Sequence, residues 1–362
     1  MKVIISGGGT GGHVFPAIAI ADAIKRQSPQ ADILFVGAEG KLEMEKVPKA
    51  GYPIKGLWIS GFQRSLSLRN FIFPFKVIHS MWRARQIVRS FRPDVAVGVG
   101  GYASGPLLRA AAAAGIPTLI QEQNGYAGVT NKLLSQRAKR ICVAYEGMER
   151  YFPAEKIVFT GNPVRNDIYQ ISKRDEGIAY FGLDPSKPVI AILGGSLGAR
   201  TLNRAIAESA QRIAEKGVQI LWQCGRLYEA EYGQSEAAKL PNVQLRPFID
   251  RMDLAYSVAD VVIARAGALT ISELCLVGKP SVLVPSPNVA EDHQTKNAQA
   301  LVNKGAAVLI RDADAIEQMM TTAFSILDDA EKSAALRKNM LALGRPTAAD
   351  DIAKEVIRLA VK

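Results

Sequence analysis

The sequence predicts an α/β protein built from two doubly wound parallel-sheet domains. Three observations carry that prediction. Short β-branched runs alternate with helix-like segments along the whole chain, the pattern of parallel strands joined by crossover helices. A strand that runs straight into glycines occurs at Val3–Ser6 and again at Pro188–Leu193. The 362 residues are long for one hydrophobic core and ample for two.

In the first half, strands are expected at Lys2–Ser6, Asp32–Val36, Asp94–Val99, Thr118–Gln121 and Arg140–Ala144. Helical segments near 14–28, 76–91, 104–114 and 127–137 separate them. The pattern restarts at Pro188–Leu193. It continues with strands at Val218–Gln223, Val243–Pro247, Asp260–Ala264, Ser281–Val284 and Ala307–Ile310. Asn162-Pro163 interrupts the alternation, which puts the joint within Gly161–Arg165 and the domains at 1–163 and 164–344. The closing helix, Ala348–Val361 within 345–362, is expected to pack back on the first domain. Open α/β sheets bind ligands beyond the carboxyl ends of their strands. Two such domains facing across a cleft would bring their strand-end motifs together.

The first of these motifs is Gly7-Gly8-Gly9-Thr10-Gly11-Gly12-His13, between a strand and a helix. Glycines let the backbone approach a ligand, and the free N–H groups of a helix start suit a phosphate. Gly7, Gly9 and Gly12 also fit GxGxxG, a spacing that is weak alone, and no GK[ST] follows, which excludes a P-loop. His13 can take a proton from a hydroxyl near neutral pH, or it can simply hydrogen-bond at the helix start. The second domain offers Gly194-Gly195-Ser196-Leu197-Gly198-Ala199, where Ser196 either bonds a phosphate or caps a helix. Arg265-Ala266-Gly267-Ala268-Leu269-Thr270-Ile271-Ser272-Glu273 opens another helix. Glu273 suits the hydroxyls of a ribose, or serves the helix dipole. Gln121-Glu122-Gln123-Asn124 and Gly100-Gly101-Tyr102-Ala103-Ser104-Gly105-Pro106 stand at further strand ends, and Arg165 stands at the joint.

Composition sets the remaining bounds. The net charge is +11, and residues 46–93 hold ten Lys and Arg with no Asp or Glu. A local positive field of this kind attracts phosphates, anionic lipid or nucleic acid. Inside this stretch, Ile72, Phe73 and Phe75 precede Lys76, Trp82 and Arg85. Apolar residues ringed by cations read as an interfacial membrane contact, or as an amphipathic core helix with a solvated basic face. No run of about 18 apolar residues is present, so no membrane span is expected. The segment Met1–Ser6 enters a strand directly and predicts no signal peptide. Cys142, Cys224 and Cys275 are far apart, and the histidines are His13, His79 and His293 alone. No metal site and no disulfide framework is expected from them, and a reducing compartment fits.

GGTGGH (8–13), GGYASGP (100–106), EQN (122–124), GNPVR (161–165), GGSLGA (194–199) and ARAGALTISE (264–273) belong to a resemblance that covers essentially the whole chain. In that order they resemble the bacterial undecaprenyl-diphospho-muramoylpentapeptide β-N-acetylglucosaminyltransferases, which convert lipid I to lipid II. The resemblance implies a GT-B fold. It also implies an inverting transfer of N-acetylglucosamine from UDP-N-acetylglucosamine to the C4 hydroxyl of the muramoyl sugar, with no cofactor.

By the family pattern, Thr10, Gly11, Gly12, Asn124, Arg165 and Ser196 contact the donor. Ile249 meets the uracil, the run Ala268, Leu269, Thr270, Ile271, Ser272 and Glu273 wraps the nucleoside and diphosphate, and Gln294 reaches the sugar. Tyr102 and Glu122 are expected to orient the acceptor, with His13 the candidate base. The implied place is the cytoplasmic face of the plasma membrane, peripherally bound to anionic lipid, with cell-wall synthesis or division proteins as further partners. The sequence departs from the family at Gln121, where His is frequent, at Leu197, where Gln is frequent, and in the loop Pro285–Asp292.

Two rival readings leave motifs unexplained. A dinucleotide-dependent oxidoreductase would use Gly7, Gly9, Gly12 and Glu39, but gives no role to the second glycine turn or to the cluster at 265–273. A nucleic-acid-binding protein would use the charge, but no regular base-stacking aromatics or DNA-binding motif are legible.

Overall fold

The structure, a computed structural model, describes residues 1–61, 69–165, 168, 173–195, 197–289 and 292–361, without the side chains of 69–72. It divides into two compact units, Met1–Arg165 with Arg345–Lys362, and Asn166–Gly344.

The first unit runs β1 (Lys2–Ser6), α1 (Gly11–Gln27), β2 (Asp32–Ala38), α2 (Glu43–Lys49), β3 (Ile54–Leu57), α3 (Arg69–Phe91) and β4 (Val95–Gly98). It continues with α4 (Ser104–Ala113), β5 (Thr118–Glu122), α5 (Val129–Ser135), β6 (Arg140–Val143) and β7 (Ile157–Phe159). The second unit runs α6 (Arg174–Phe181), β8 (Val189–Leu193), α7 (Arg200–Ala207), α8 (Ala210–Lys216), β9 (Gln219–Gln223), α9 (Glu229–Tyr232), α10 (Glu236–Lys239) and β10 (Val243–Arg246). After these come α11 (Met252–Val258), β11 (Val261–Ala264), α12 (Ala268–Val277), β12 (Ser281–Leu283), α13 (His293–Val302), β13 (Val308–Leu309), α14 (Ala315–Asp328) and α15 (Ala330–Ala342). The closing helix α16 (Ala348–Ala360) returns to the first unit.

All strand pairs in both sheets are parallel. Among the described residues the first sheet has seven strands in the order β3-β2-β1-β4-β5-β6-β7, and the second has six in the order β10-β9-β8-β11-β12-β13. Two parallel α/β sheets are the architecture the alternation predicts. The order in which successive strands are added reverses between β1 and β4 in one unit and between β8 and β11 in the other, while all strands keep one direction. These are the switch points where open sheets form their ligand crevices.

Alternation along each strand feeds a core on either side. Val3, Ile5, Val95 and Val97 face α1 and α16, where Ile20, Ile24, Ile352 and Val356 are buried. Ile4 and Ala96 face the opposite way, toward Ile87 and Val88 of α3 and Leu107 and Leu108 of α4. In the second unit Ile190, Ile192, Trp222 and Ile263 pack with Leu202, Ile206, Met319 and Met320. Strands buried on both faces must be apolar throughout, which makes them legible as continuous runs.

Two edge strands, β3 and β7, and the helix α2 are additions to the expected elements. Helix α3 also begins at Arg69 instead of near 76 and carries Pro74 inside it. At the sixth residue, past the first turn, the proline removes an amide donor that would otherwise reach back four residues, and the helix continues through it.

Candidate active site

In the first unit the loops after β1 and β4 lie against each other. Gly101 has φ +88°, a conformation that favours glycine, and a Cβ there would collide with the Gly8 backbone. Ser104, at the start of α4, is fully buried, and its hydroxyl reaches the carbonyl oxygens of Ser6 at 3.0 Å and Gly100 at 2.8 Å. That side chain therefore pins the two strand ends together. Thr10 caps α1, its carbonyl accepting from His13 N–H at 3.1 Å and Val14 N–H at 3.2 Å.

His13 is half-buried between these turns, its ring packed against Gly100. Its Nδ1 lies 3.1 Å from the Gly8 carbonyl oxygen. A carbonyl only accepts, so neutral His13 carries its proton on Nδ1 and keeps a lone pair on Nε2. Burial lowers its pKa below the ordinary histidine value, partly opposed by the negative charges of Glu122 and Glu43 and by the Gly8 contact. The lowered pKa favours the neutral ring, whose Nε2 is able to accept a proton.

Glu43, which the sequence did not single out, holds the glycine turn from beneath. Its side chain is 1% exposed, and it accepts from Gly9 N–H at 2.8 Å and Ala38 N–H at 2.9 Å. The oxidoreductase reading pointed to Glu39, whose side chain instead packs over Gly56.

Glu122 is 2% exposed and accepts from Asn124 N–H at 3.2 Å, Gly128 N–H at 3.0 Å and Asn131 Nδ2 at 2.8 Å. It folds the loop that carries Asn124 and caps α5. Gln121, which replaces the frequent histidine, donates to Asn162 Oδ1 at 3.0 Å, while Asn162 donates to the Gln123 carbonyl at 3.0 Å. Arg165 lies over the Phe15 ring at 5.1 Å, near the start of α1. Tyr102 is 48% exposed and stands beside Gly9 and Gly61.

In the second unit the loop after β8 meets the loop after β9. Gly198 has φ +84°, and a Cβ on it would strike the Cys224 carbonyl. Buried Asn203 ties the two, donating to Cys224 O at 2.8 Å and accepting from Trp222 Nε1 at 2.9 Å. Across the switch point, Gly267 caps α12, whose first turn (Ala268, Leu269, Thr270) carries no acidic residue. Such a helix start offers unpaired N–H groups to an anion. One turn on, Glu273 accepts from Tyr256 Oη at 2.8 Å, and Ser272 back-bonds to the Ala268 carbonyl at 2.9 Å. Ile271 and Ile249 are buried, and Gln294 Oε1 accepts from Ser286 N–H at 2.8 Å. Arg265 turns inward, donating to the carbonyls of Val284 and Pro285 at 3.1 Å and pairing with Asp312. Ser196 lies outside the described residues.

The structure therefore gathers Thr10, Gly11, Gly12, His13, Tyr102, Glu122 and Asn124 at adjacent strand ends of the first sheet. Ala268 to Glu273 stand at the switch point of the second. The apolar patch is only partly described, because the Ile72 side chain lies outside the described residues. Phe75, Ile78 and Trp82 are 69%, 68% and 55% exposed, with Phe73 and Lys76 half-buried and Arg85 exposed. Trp58, on the preceding loop, joins this face through an edge contact with His79 at 5.8 Å and a cation–π contact with Lys76 at 5.5 Å.

Residues 3–143 match the glycosyltransferase family 28 N-terminal domain, and residues 189–356 match the C-terminal domain of the same family. A Cytophaga hutchinsonii protein, named UDP-N-acetylglucosamine--N-acetylmuramyl-(pentapeptide) pyrophosphoryl-undecaprenol N-acetylglucosamine transferase, is 54% identical over 359 residues, 99% of this chain and 96% of its own. A Parabacteroides distasonis protein of the same name is 55% identical over 360 residues, covering 99% and 98%. The crystal structure of Acinetobacter baumannii MurG aligns with TM-score 0.76 at 31% identity over 99% of both chains.

Proposed function

This chain belongs to glycosyltransferase family 28, and from that premise we propose its reaction, substrates and working residues. It transfers N-acetylglucosamine from UDP-N-acetylglucosamine to the C4 hydroxyl of the muramoyl sugar of undecaprenyl-pyrophosphoryl-MurNAc-pentapeptide. The product is lipid II, the disaccharide precursor of peptidoglycan.

The C4 oxygen attacks the anomeric carbon from the face opposite UDP, the bond to the diphosphate oxygen breaks, and an α-linked donor gives a β-linked product. His13 Nε2 takes the hydroxyl proton. The observation that carries this role is the contact between His13 Nδ1 and the Gly8 carbonyl, which fixes the tautomer a base needs. The charge left on UDP is met by the first N–H groups of α12, by Ser196 and by Arg165. Glu273 holds the ribose, Ile249 the uracil and Gln294 the sugar. Thr10, Gly11, Gly12 and Asn124 complete the donor contacts. The first unit takes the acceptor, with Tyr102 at its mouth and Glu122 acting through the loop it folds.

The same unit lies on the cytoplasmic face of the plasma membrane. Phe75, Ile78 and Trp82 enter the interface, while Lys76, Arg85 and their neighbours meet anionic headgroups. Support comes from the exposed apolar side chains of α3 within a stretch that has no acidic residue.

The test is transfer of labelled N-acetylglucosamine to a lipid I analogue, with UDP-glucose and UDP-N-acetylgalactosamine as competing donors. Preferential transfer from UDP-N-acetylglucosamine is expected. UDP binding without transfer to this acceptor would overturn the acceptor assignment, and absence of UDP binding would overturn the second unit's role.

A further inference from the structure

We propose that a groove between α3, α4 and α5 of the first unit holds the leading isoprene units of the acceptor's polyprenyl chain. The inference rests on the reading of the acceptor as a lipid diphosphate. The groove encloses about 380 Å³, within the roughly 300–1,000 Å³ of small-molecule sites.

Helix α3 presents two apolar faces. Phe75, Ile78 and Trp82 point outward. Phe73, Val77 and Met81, spaced four residues apart, are half-buried and line the groove. Opposite them stand Pro106, Leu108 and Ala112 of α4 and Leu133 and Leu134 of α5. The groove follows α4 from Gly105 to Ala112, a run of roughly 10 Å at 1.5 Å per residue. That shape suits an extended chain.

What selects this occupant is continuity with the candidate site. Tyr102 lines the groove and also stands 3.8 Å from the Cβ position of Gly9 in the glycine turn. Its ring covers Gly61, where a Cβ would come within 2.6 Å of Tyr102 Cε1. One end of the groove therefore opens beside the turn that holds His13, where a sugar diphosphate would lie. Among the described residues that line it, the charged ones are Arg109 and Arg137, both exposed, and none is Asp or Glu. An apolar channel bordered by cations matches a hydrocarbon tail leaving a diphosphate.

The experiment compares two acceptors with one muramoyl diphosphate head, one carrying a four-isoprene tail and the other an ethyl group. Ala112→Phe places a ring in the groove at a half-buried position. It is expected to raise KM for the prenylated acceptor roughly tenfold, with kcat, UDP affinity and KM for the ethyl acceptor changed by less than about twofold. Equal KM changes for both acceptors, or no change for either, would overturn the proposal. Independently, a photoreactive geranylgeranyl diphosphate on the unaltered protein, with adducts assigned residue by residue, should label Val77, Met81 or Ala112. Labelling confined to Ile78 and Trp82 would mean surface adsorption only and would also overturn it. If the unaltered protein transfers to neither acceptor, the functional reading fails. Labelling within the groove would then still support a prenyl site, and labelling elsewhere would reject it.

Discussion

The Glu43 carboxylate accepts the Gly9 amide at 2.8 Å, 34 residues away in sequence, from a position that is 1% exposed. The same carboxylate takes Ala38 N–H at 2.9 Å, so it joins the end of β2 to the glycine turn after β1. It also contributes negative charge that opposes the lowering of the His13 pKa. Glu43→Ala leaves the buried Ala38 amide unpaired, at about 1–3 kcal/mol, and frees the part-buried Gly9 amide at a smaller cost. The expected outcome in thermal denaturation is a clear loss of stability. Glu43→Gln keeps the shape and removes the charge, so it should move the acid limb of the rate profile to lower pH. An unshifted limb would remove Glu43 from the electrostatics of His13.

His13→Ala is expected to lower kcat by about 10²–10⁴-fold, the usual contribution of general base catalysis. UDP affinity, measured by calorimetry, should stay nearly constant. Activity needs the neutral ring, so kcat/KM must fall as pH drops through the His13 pKa. Burial lowers that pKa from its ordinary value of 6.5, and the acid limb should therefore lie below 6.5. A limb at or above 6.5, or turnover that survives the substitution, would assign the proton to another group.

Much of this was legible in the sequence for a physical reason. Strands β1, β4, β8 and β11 are buried on both faces, so they appear as unbroken apolar runs, and their glycine turns follow at once. The edge strands were not legible. Ile54–Leu57 is interrupted by Lys55 and Gly56, and Ile157–Phe159 is only three residues long and partly exposed. Glu43 was missed because what marks it is its contact with Gly9, and no local pattern encodes a partner 34 residues away. Tyr256, 17 residues before Glu273, escaped for the same reason. Motifs reported the backbone turns well. They did not report the side chains that hold the turns in place.

Glu273 and Tyr256 give a prediction that separates ribose recognition from helix stability. Glu273→Gln should weaken UDP binding about tenfold if the carboxylate bonds the ribose hydroxyls. For 2′-deoxy-UDP the same substitution should cost much less. Tyr256→Phe removes the 2.8 Å bond that orients Glu273 and should show a smaller loss of the same pattern. Equal losses for both nucleotides would mean that Glu273 acts through the fold of α12.

Asp253 anchors the start of α11 through Arg251 at 2.8 Å and Lys173 at 3.2 Å, and its side chain is 3% exposed. Arg251 holds its pKa down to about 2, with Lys173 assisting. A carboxyl with a depressed folded pKa stabilises the protein above its unfolded pKa of about 3.9, and that stability is lost as pH falls toward 2. Its partners are 40% and 28% exposed, so screening reduces the effect to roughly 1–2 kcal/mol. Asp253→Asn should lower the melting temperature at pH 7, and the difference from the unaltered protein should shrink between pH 4 and pH 2. A constant difference across that range would assign the effect to packing.

The outward face of α3 yields the last prediction. Phe75, Ile78 and Trp82 stand more than half exposed, and Lys76 lies over Trp58 at 5.5 Å. Apolar insertion and cation attraction contribute separately, and salt distinguishes them. Replacing Phe75, Ile78 and Trp82 together with Ser should weaken binding to phosphatidylglycerol vesicles at both low and high salt. Replacing Arg83, Arg85 and Arg89 with Gln should weaken it mainly at low salt, by about 1 kcal/mol per residue near the surface. UDP affinity should be unchanged in both variants, because these side chains lie on α3 of the first unit while the proposed nucleoside site is in the second. Vesicle flotation across a salt series reads both effects. Retention of full binding by the triple Ser variant would leave the charge of residues 46–93 as the sole attraction and remove α3 from the interface.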